Sequence, residues 1–366
     1  MRLGVREAVV AGRLVHGDVV VEEGRIAAVG ASPAGSSGLA GAGFVDLQVN
    51  GFAGVDYLAA GPEDYEKAGR SLVATGVTAY QPTLISAPVE DYESALKAVS
   101  EAGERPGGPR ILGVHLEGPF LSPRWPGAHN PAHLREVDAA LAERLCDLGP
   151  VTYMTLAPEL PGALDLVERL AARGVVVACG HTDADAGMAR RAFAAGAVAV
   201  THIYNGQRRW GARDPGISGV SLVHPGVCVQ AIVDFVHLAP ETVYATFLAA
   251  GSRFTMVTDA IMAAGLPEGS YRLGDRRVTV ANGAARTDEG VLAGSVSTMD
   301  AAVRNLVSLG ARVEEAVRSA SATPASLLGL RDLGTLRPGA AADVVVLDSS
   351  LSVRRTLVEG EEVFAA

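Results

Sequence analysis

The chain has 366 residues, of which 48% are hydrophobic and 20% charged. This composition fits a folded protein with a large buried core and excludes the disordered and collagen-like classes of protein. The 41 acidic residues outnumber the 31 basic ones, and the net charge of −10 repels polyanions, so a nucleic-acid-binding protein is not expected. The cysteines Cys146, Cys179 and Cys228 have the spacing of neither a disulfide framework nor a zinc ribbon, which favours a reducing, cytoplasmic location.

The two ends of the chain predict short β-strands. Apolar runs of strand length occupy residues 9–15, 19–22 and 25–29 near the start, and 343–347, 355–358 and 363–364 near the end. We therefore expect residues 1–42 and 336–366 to form one small, discontinuous β-sandwich domain. Charged residues return at Arg6-Glu7 before any run of signal-peptide length, and no apolar stretch reaches the roughly 20 residues that span a bilayer. Neither export nor membrane insertion is expected.

Residues 43–335 alternate short β-type runs with longer Ala- and Leu-rich stretches of helical period, which is the pattern of βα units. The runs begin near Phe44, Thr78, Ile111, Val151, Val175, Ala199, Cys228 and Phe254. Eight such units predict an α/β fold, a (β/α)8 barrel of TIM type, as the main domain. An open doubly wound sheet is the alternative, but the glycine-rich phosphate loop of such sheets does not follow the first two runs.

Polar residues capable of catalysis stand where these runs end, and the carboxyl ends of barrel strands meet on one rim. In chain order they are Gln48, Asn50, Glu117, His181, His202, Asp234 and Asp259. A single histidine at a strand end is usually structural, but several together indicate a functional site. His16, His133 and His224 fall outside this pattern and are expected to be structural or surface residues.

Glu117, His181 and His202 supply one carboxylate and two imidazoles from three different strands. This ligand set suits Zn²⁺ or Fe²⁺ with one position left open for water. Such an ion lowers the pKa of its water to about 7 and polarises a carbonyl, which makes hydrolysis at neutral pH feasible. Asp259 is the candidate base that accepts the water proton and passes it to a departing amine. The alternative for Asp259 is a buried carboxylate that caps a helix.

Over essentially its whole length the sequence resembles the N-acetylglucosamine-6-phosphate deacetylases of the amidohydrolase superfamily. The matching stretches occur in the family's order at residues 46–51, 115–120, 155–159, 180–182, 257–260 and 292–295. The resemblance implies a barrel of the metal-dependent amidohydrolase kind, with a small β-sandwich made from both termini. It also implies metal-dependent removal of acetate from N-acetyl-D-glucosamine 6-phosphate, in amino-sugar catabolism or cell-wall recycling.

The number of metal ions follows from the end of the first strand. Many amidohydrolases carry His-x-His there to hold a second metal, whereas this chain has Gln48 and Asn50, whose neutral amides are weak ligands. Family members with this variant look like single-metal enzymes, so Glu117, His181 and His202 are expected to hold one divalent ion. Zn²⁺ is favoured, with Fe²⁺, Co²⁺ or Mn²⁺ as alternatives, and Gln48 and Asn50 mark a vestigial second position.

The resemblance also assigns residues to the substrate. His129 matches a histidine that touches the substrate amide, where its imidazole would stabilise the oxyanion. Arg213 and His237 match residues that bind the 6-phosphate, and Asn205 and the Gly206 amide would join them. In this family such an arginine reaches into the neighbouring active site, so a homodimer with Arg213 contributed across the interface is expected.

Two departures from the family pattern concern the substrate pocket. The family usually has Ala-Met where this chain has Gly206-Gln207, and it often has Gly where this chain has Phe235. These differences leave open the galacto isomer, N-acetylgalactosamine 6-phosphate, or another amide. The following Arg208-Arg209 are either phosphate ligands or a solvated loop, and Trp125 either walls the pocket or packs elsewhere. A non-catalytic barrel is a further alternative, which the complete set of candidate metal ligands disfavours.

Overall fold

Five strands precede the barrel in the computed structural model, which describes residues 1–103 and 108–366. They are β1 (Val5–Val10), β2 (Arg13–His16), β3 (Asp18–Glu22), β4 (Arg25–Ala31) and β5 (Ser37–Ala42). The single strand predicted over 9–15 is wrong. The chain reverses at Ala11 and Gly12, which have φ angles of 49° and 74°, so β1 and β2 form an antiparallel hairpin.

Eight parallel strands of the described chain form the barrel, and the predicted (β/α)8 architecture is confirmed. In chain order the strands of this part are β6 (Phe44–Val49), β7 (Gly51–Phe52), β8 (Val55–Asp56), β9 (Val77–Leu84), β10 (Arg110–Ile111), β11 (Val114–Glu117), β12 (Val151–Leu156), β13 (Val176–Cys179), β14 (Ala199–Val200), β15 (Cys228–Ile232) and β16 (Phe254–Val257). The barrel runs β6, β9, and then β11 to β16, while β10 pairs with β9 at its edge and β7 pairs with β8. The observed starts lie close to those predicted from the apolar runs.

The barrel helices bury apolar faces against the strands. They are α1 (Asp64–Val73), α2 (Val89–Gly103), α3 (Ala139–Leu148), α4 (Ala163–Ala172), α5 (Ala186–Ala195), α6 (Gly216–Val223), α7 (Pro240–Ala250), α8 (Met299–Ser308), α9 (Val313–Ala320) and α10 (Ala322–Leu327). In α4, for example, Leu166, Val167 and Leu170 recur at helical spacing and are fully buried in the main core. Within residues 1–103 and 108–366, no helix combines the length and apolar character needed to cross a membrane.

The barrel closes between β6 and β16. Asp46 of β6 is fully buried and accepts hydrogen bonds from the Thr258 backbone N–H (3.2 Å) and hydroxyl (2.6 Å). Burial raises the pKa of this carboxyl to about 7, although the bonds from Thr258 oppose the rise. The Asp259 N–H donates to the Gln48 carbonyl oxygen (2.9 Å), and the Asn50 N–H donates to that of Ala260 (2.7 Å). This seam brings the first and last strand ends together at the site.

A three-stranded antiparallel sheet follows the last barrel strand, and we call it the insertion sheet. It consists of β17 (Gly269–Leu273), β18 (Arg276–Ala281) and β19 (Ala284–Thr287). The sequence analysis did not predict it. Val278, Val280 and Ala285 bury one face of the sheet in a small core of its own, together with Ile85 and Ile261 from the loops of the barrel.

The C-terminal strands join the N-terminal ones, as predicted. They are β20 (Val344–Leu347), β21 (Val353–Val358) and β22 (Glu361–Ala365), and the sheet order is β2, β1, β5, β20, β21, β22. The β3–β4 hairpin packs on this sheet through Val19, Val21 and Ile26, which share a core with residues of β5 and β20. For the domain boundaries we propose residues 1–42 with 336–366 and residues 43–335.

Candidate active site

The Glu117 carboxylate, at the end of β11, lies at the centre of three imidazole rings. Its Oε1 is 2.7 Å from His202 Nε2 and 3.2 Å from His181 Nε2, and its Oε2 is 3.5 Å from His129 Nε2. All four side chains are buried. Burial alone would raise the pKa of Glu117, but hydrogen bonds from the three histidines hold it well below its ordinary range. The carboxylate is therefore ionised, and hydrogen-bond donors or a cation must balance its negative charge.

The hydrogen bonds of Nδ1 in His181 and His129 determine whether Nε2 of each ring, which faces Glu117, is a donor or an acceptor. His181 Nδ1 is 2.9 Å from the Trp125 carbonyl oxygen, which can only accept, so Nδ1 carries a proton. Nε2 then donates to Glu117 only in a doubly protonated ring, whereas in a neutral ring it would present a lone pair to a metal ion. His129 is arranged the other way, because its Nδ1 accepts from the Ser86 backbone N–H at 3.2 Å. A neutral His129 therefore carries its proton on Nε2 and acts there as a donor.

Glu117, His129 and His181 form a buried group whose ligand atoms all lie within 4.8 Å of one another, close enough to hold a metal ion. The trio predicted from the sequence had His202 instead of His129. His202 lies nearer to Glu117 than either of the other rings, and its Nδ1 has no hydrogen-bond partner among the described residues. Burial alone would lower the pKa of His202, but the hydrogen bond and charge of Glu117 raise it above its ordinary value.

Two glycines hold the His181 ring between them. A Cβ added at Gly206 would lie 2.7 Å from His181 Nδ1, and one added at Gly127 would lie 2.7 Å from Cε1. Both residues also have positive φ angles, 58° and 57°. We expect Gly206→Ala to displace the ring and weaken metal binding by about 10-fold or more, the effect usual when the support of a ligand is lost.

Chelator competition measures this metal affinity. Gly174→Ala is the matched control, because Gly174 also has a positive φ (80°) but its added Cβ would meet no atom within 4 Å. The control therefore carries only the backbone cost of a side chain in the left-handed region. Equal metal affinities of the two variants would contradict the role of Gly206.

Asp259 lies at the barrel seam beside the histidines. Its Oδ1 accepts from Asn50 Nδ2 at 2.7 Å, and its φ of 52° turns the chain sharply at the end of β16. Burial, together with repulsion from Glu117, raises the pKa of Asp259 to about 6. A carboxyl with a pKa near neutrality is suited to accept and release a proton during turnover.

The site opens into a cavity of about 330 Å³. Nine of the residues singled out by the sequence line it: Asn50, Glu117, His129, His181, His202, Asn205, Gly206, His237 and Asp259. Gln48 and Arg213 are not among the described residues that line it. Gln48 is fully buried beside the seam, and neither atom of its carboxamide has a hydrogen-bond partner within the described chain. Arg213 is exposed on the loop before α6.

His237 is held by the end of the seventh barrel strand. Its Nδ1 donates to Asp234 Oδ2 at 2.8 Å, which leaves Nε2 for a ligand. The backbone N–H groups of Val236 and His237 donate to Asp234 Oδ1, both at 2.9 Å. Phe235, which lies between Asp234 and Val236, has a φ of 62°, a left-handed conformation that favours glycine.

Gln207 and Arg208, in the loop that departs from the family pattern, form contacts with neighbouring residues of the protein. Gln207 Oε1 accepts from the Ser218 hydroxyl (2.9 Å) and Gln207 Nε2 donates to the Thr201 carbonyl oxygen (2.8 Å), so this residue holds its loop together. Arg208 Nε lies 3.0 Å from Asp214. Trp125 acts through its backbone carbonyl on His181. The contributions of Ser86 and Trp125 were missed because backbone groups leave no signal in the sequence.

The chain is similar to characterised proteins over most of its length. The model of the amidohydrolase family matches residues 40–363. The chain is 39% identical to human N-acetylglucosamine-6-phosphate deacetylase, over 88% of this chain and 83% of the human protein. It is 38% identical to N-acetylgalactosamine-6-phosphate deacetylase of Escherichia coli O157:H7, over 87% of this chain and 86% of that protein.

Solved structures agree with these similarities. A mutant of N-acetyl-D-glucosamine-6-phosphate deacetylase from Mycobacterium smegmatis, in complex with N-acetyl-D-glucosamine-6-phosphate, matches with a TM-score of 0.94 and 34% identity, over 100% of this chain and 99% of that one. N-acetylglucosamine-6-phosphate deacetylase from Thermotoga maritima matches with a TM-score of 0.93 and 33% identity, over the whole of both chains.

Proposed function

The chain belongs to the amidohydrolase family and within it to the N-acetylglucosamine-6-phosphate deacetylases, and from this premise we propose that it hydrolyses N-acetyl-D-glucosamine 6-phosphate to D-glucosamine 6-phosphate and acetate. One observation carries this function. The cavity holds a carboxylate, Glu117, ringed by three imidazoles, with a second carboxylate, Asp259, at its edge. This is the chemistry that amide hydrolysis requires.

Glu117, His181 and His202 would hold one divalent cation, for which Zn²⁺ is favoured by the set of one oxygen and two nitrogen donors. When bound, such an ion polarises a carbonyl oxygen and makes a water more acidic. The lone pair that a neutral His181 would present at Nε2 supports its place in this set. His129 is left out because its Nε2 carries the proton when Ser86 donates to Nδ1. Gln48 and Asn50 would be a vestige of a second position, where Asn50 now binds Asp259.

The remaining residues carry the proton and position the amide. Asp259 accepts a proton from the attacking water as the water oxygen bonds to the acetyl carbon. The Nε2–H of His129 donates to the amide oxygen, where negative charge develops. Asp259 then delivers its proton to the nitrogen as the carbon–nitrogen bond breaks, and this releases acetate and the free amine. Catalysis by both residues is part of the proposal.

The 6-phosphate would lie against Asn205, the Gly206 N–H and His237, which all line the cavity. We propose in addition that Arg213 reaches this phosphate from the neighbouring subunit of a homodimer. Two observations support this arrangement. Arg213 is exposed and is not part of the described cavity lining of its own chain. Trp210 and Val223, on either side of it in sequence, expose 52% and 80% of their surface, as residues of an interface would in a single chain.

Acetate release from a set of amino sugars tests the function. N-Acetylglucosamine 6-phosphate is expected to give a kcat/KM about tenfold or more above that of its galacto isomer, because one misplaced hydroxyl breaks one hydrogen bond. The galacto isomer is the second candidate because of the similarity to the Escherichia coli enzyme. A preference for the galacto isomer would reverse the choice of sugar. No acetate from either phosphate ester would overturn the function.

A further inference from the structure

The insertion sheet forms one wall of the cavity and brings a cation to it. Leu273 of β17 and Leu292, which follows β19, are apolar residues of the cavity lining, and Arg286 of β19, an exposed residue, belongs to the same lining. Within the described chain, Arg286 is the one arginine or lysine of the lining. None of the residues singled out from the sequence lies on this sheet, so Arg286 is a new element of the site.

The guanidinium of Arg286 has more N–H donors than its one hydrogen bond to the protein uses. Its Nη1 donates to the Gly290 carbonyl oxygen at 2.9 Å, a bond that fixes the side chain over the turn after β19. A guanidinium carries five N–H donors in a planar fork, so several remain for a ligand. The fork matches the spacing of phosphate oxygens and binds them more strongly than neutral donors do.

The cavity lining contains more carboxylates than arginines or lysines, so an arginine there would favour the binding of an anion. Glu117 and Asp259 place two carboxylates in the lining, and His237 is already paired with the Asp234 carboxylate. The whole chain has a net charge of −10. A divalent ion at Glu117 would offset these two carboxylates, but a phosphate group brings a further charge of about −1.5 to −2 at neutral pH, which a nearby arginine would neutralise.

Contacts at the β17–β18 turn hold the insertion sheet against the loops of the barrel. Asp56 accepts from the Gly274 N–H at 2.8 Å. Asp275 accepts from Asn130 Nδ2 at 2.7 Å and lies 2.9 Å from His133 Nε2, on the loop that carries His129. Behind Arg286, the Ala293 N–H donates to the Ala285 carbonyl oxygen at 3.0 Å. Because β19 pairs with β18, these contacts hold the sheet that carries Arg286 beside the cavity.

We propose that Arg286 is a phosphate-binding residue of the active site, supplied by the same chain as Glu117 and the histidines. The inference rests on the proposed function and adds to it a specificity-determining residue. With Arg213 from the neighbouring subunit, each phosphate would then meet one arginine from each chain. Arg286 would bind even where the partner is absent, because it reaches the cavity within its own chain.

Arg286→Gln tests the proposal, and Arg277→Gln is the matched control. Arg277 is also exposed on the insertion sheet, where its Nε donates to the Ser270 hydroxyl (3.1 Å), and it is outside the described cavity lining. Both variants remove one positive charge from the same surface. Two quantities are compared: kcat/KM for N-acetylglucosamine with and without its 6-phosphate, and the calorimetric affinity of the metal-loaded protein for inorganic phosphate.

Arg286→Gln is expected to lower kcat/KM for the phosphorylated sugar, and the affinity for inorganic phosphate, by about 10- to 100-fold, the range for losing a bond to a charged group. Neither quantity should change more than about twofold in Arg277→Gln, because Arg277 is outside the described cavity lining and its charge acts on the cavity only through screening solvent. Equal losses with both sugars, or unchanged phosphate affinity, would overturn the proposal. If the wild type hydrolyses no phosphorylated amino sugar, the proposed function fails, while phosphate binding still decides the role of Arg286.

Discussion

Replacing Asp259 with Asn is expected to lower kcat by about 10²- to 10⁴-fold, the usual scale for losing a general acid or base. Metal content and fold should remain intact. Asn has the shape of Asp, and its carboxamide oxygen can still accept the hydrogen bond that Asn50 Nδ2 now donates to Asp259. Steady-state kinetics together with elemental analysis of the same sample measures both effects.

Asp46→Asn is the matched control for this variant. Asp46 is another buried carboxylate at the same seam, bound to Thr258, but it is outside the described cavity lining. Its replacement should lower the stability of the barrel and leave kcat per folded molecule within a few-fold of wild type. Near-normal turnover in Asp259→Asn, or equal losses of kcat in both variants, would show that the proton acceptor lies elsewhere.

The pH dependence of the wild type follows from the same carboxyl. As the proposed proton acceptor, Asp259 would act only when ionised, and burial with repulsion from Glu117 raises its pKa to about 6. The rate must therefore fall as pH decreases and the carboxylate is protonated. A bound cation attracts the carboxylate and moves this decrease to lower pH, so kcat/KM should fall at or below about pH 6. A decrease centred above pH 7 would contradict the assignment.

Replacing Arg213 with Ala is expected to lower kcat/KM for the 6-phosphate by about 10- to 150-fold, because one charge-assisted hydrogen bond to phosphate is lost. The unphosphorylated sugar should be hardly affected. Mixed dimers of an Arg213→Ala chain with an Asp259→Asn chain show which subunit supplies the arginine. If it acts across the interface, one site of the mixed dimer lacks both groups and the other is complete, so activity should be near half of wild type.

The mixed dimers also show the opposite arrangement, in which Arg213 acts within its own chain. If Arg213 serves its own chain, both sites of the mixed dimer are defective and neither has wild-type efficiency. The homodimers of each variant, measured at the same total concentration, give the background to subtract. An Arg213→Ala variant with unchanged kcat/KM for the phosphorylated sugar would remove Arg213 from the phosphate site altogether.

The barrel was predictable because its strands are continuous apolar runs, as expected for strands buried on both faces. The rule that active sites lie at the carboxyl ends of such strands predicts from the sequence alone that Glu117, His181, His202 and Asp259 lie together. The structure places all four around one cavity. The order of the strands and the residue types at their ends were therefore enough to predict that these four side chains meet in one cavity.

The insertion sheet was not predicted, because its short antiparallel strands interrupt the βα pattern of the barrel. Its signals are present in the sequence: Asn282-Gly283 is a strong hairpin dipeptide, and Val278 and Val280 alternate with the exposed Arg277 and Thr279. A strict search for hairpins would have found it. The split of the first strand at Ala11-Gly12 was missed for a similar reason, since the apolar residues on either side read as one run.

The states of the histidines could not be predicted. Whether His129 or His181 presents a lone pair depends on the Ser86 N–H and the Trp125 carbonyl, and every residue has such groups. The role of Gln207 was hidden for another reason. Its carboxamide could have faced the pocket or the loop, and only the positions of Thr201 and Ser218 decide that it binds the loop.

Acetate release during titration of metal-free protein with Zn²⁺ tests the central claim most directly. Activity towards N-acetylglucosamine 6-phosphate should be absent without metal, rise linearly, and reach its plateau at one equivalent per chain. This is expected because the proposed set of one carboxylate and two imidazoles would hold a single ion, and the neutral amides of Gln48 and Asn50 are weak ligands for a second. A plateau at two equivalents would contradict the single-metal site. Full activity in rigorously metal-free protein would contradict the assignment of Glu117, His181 and His202 as its ligands.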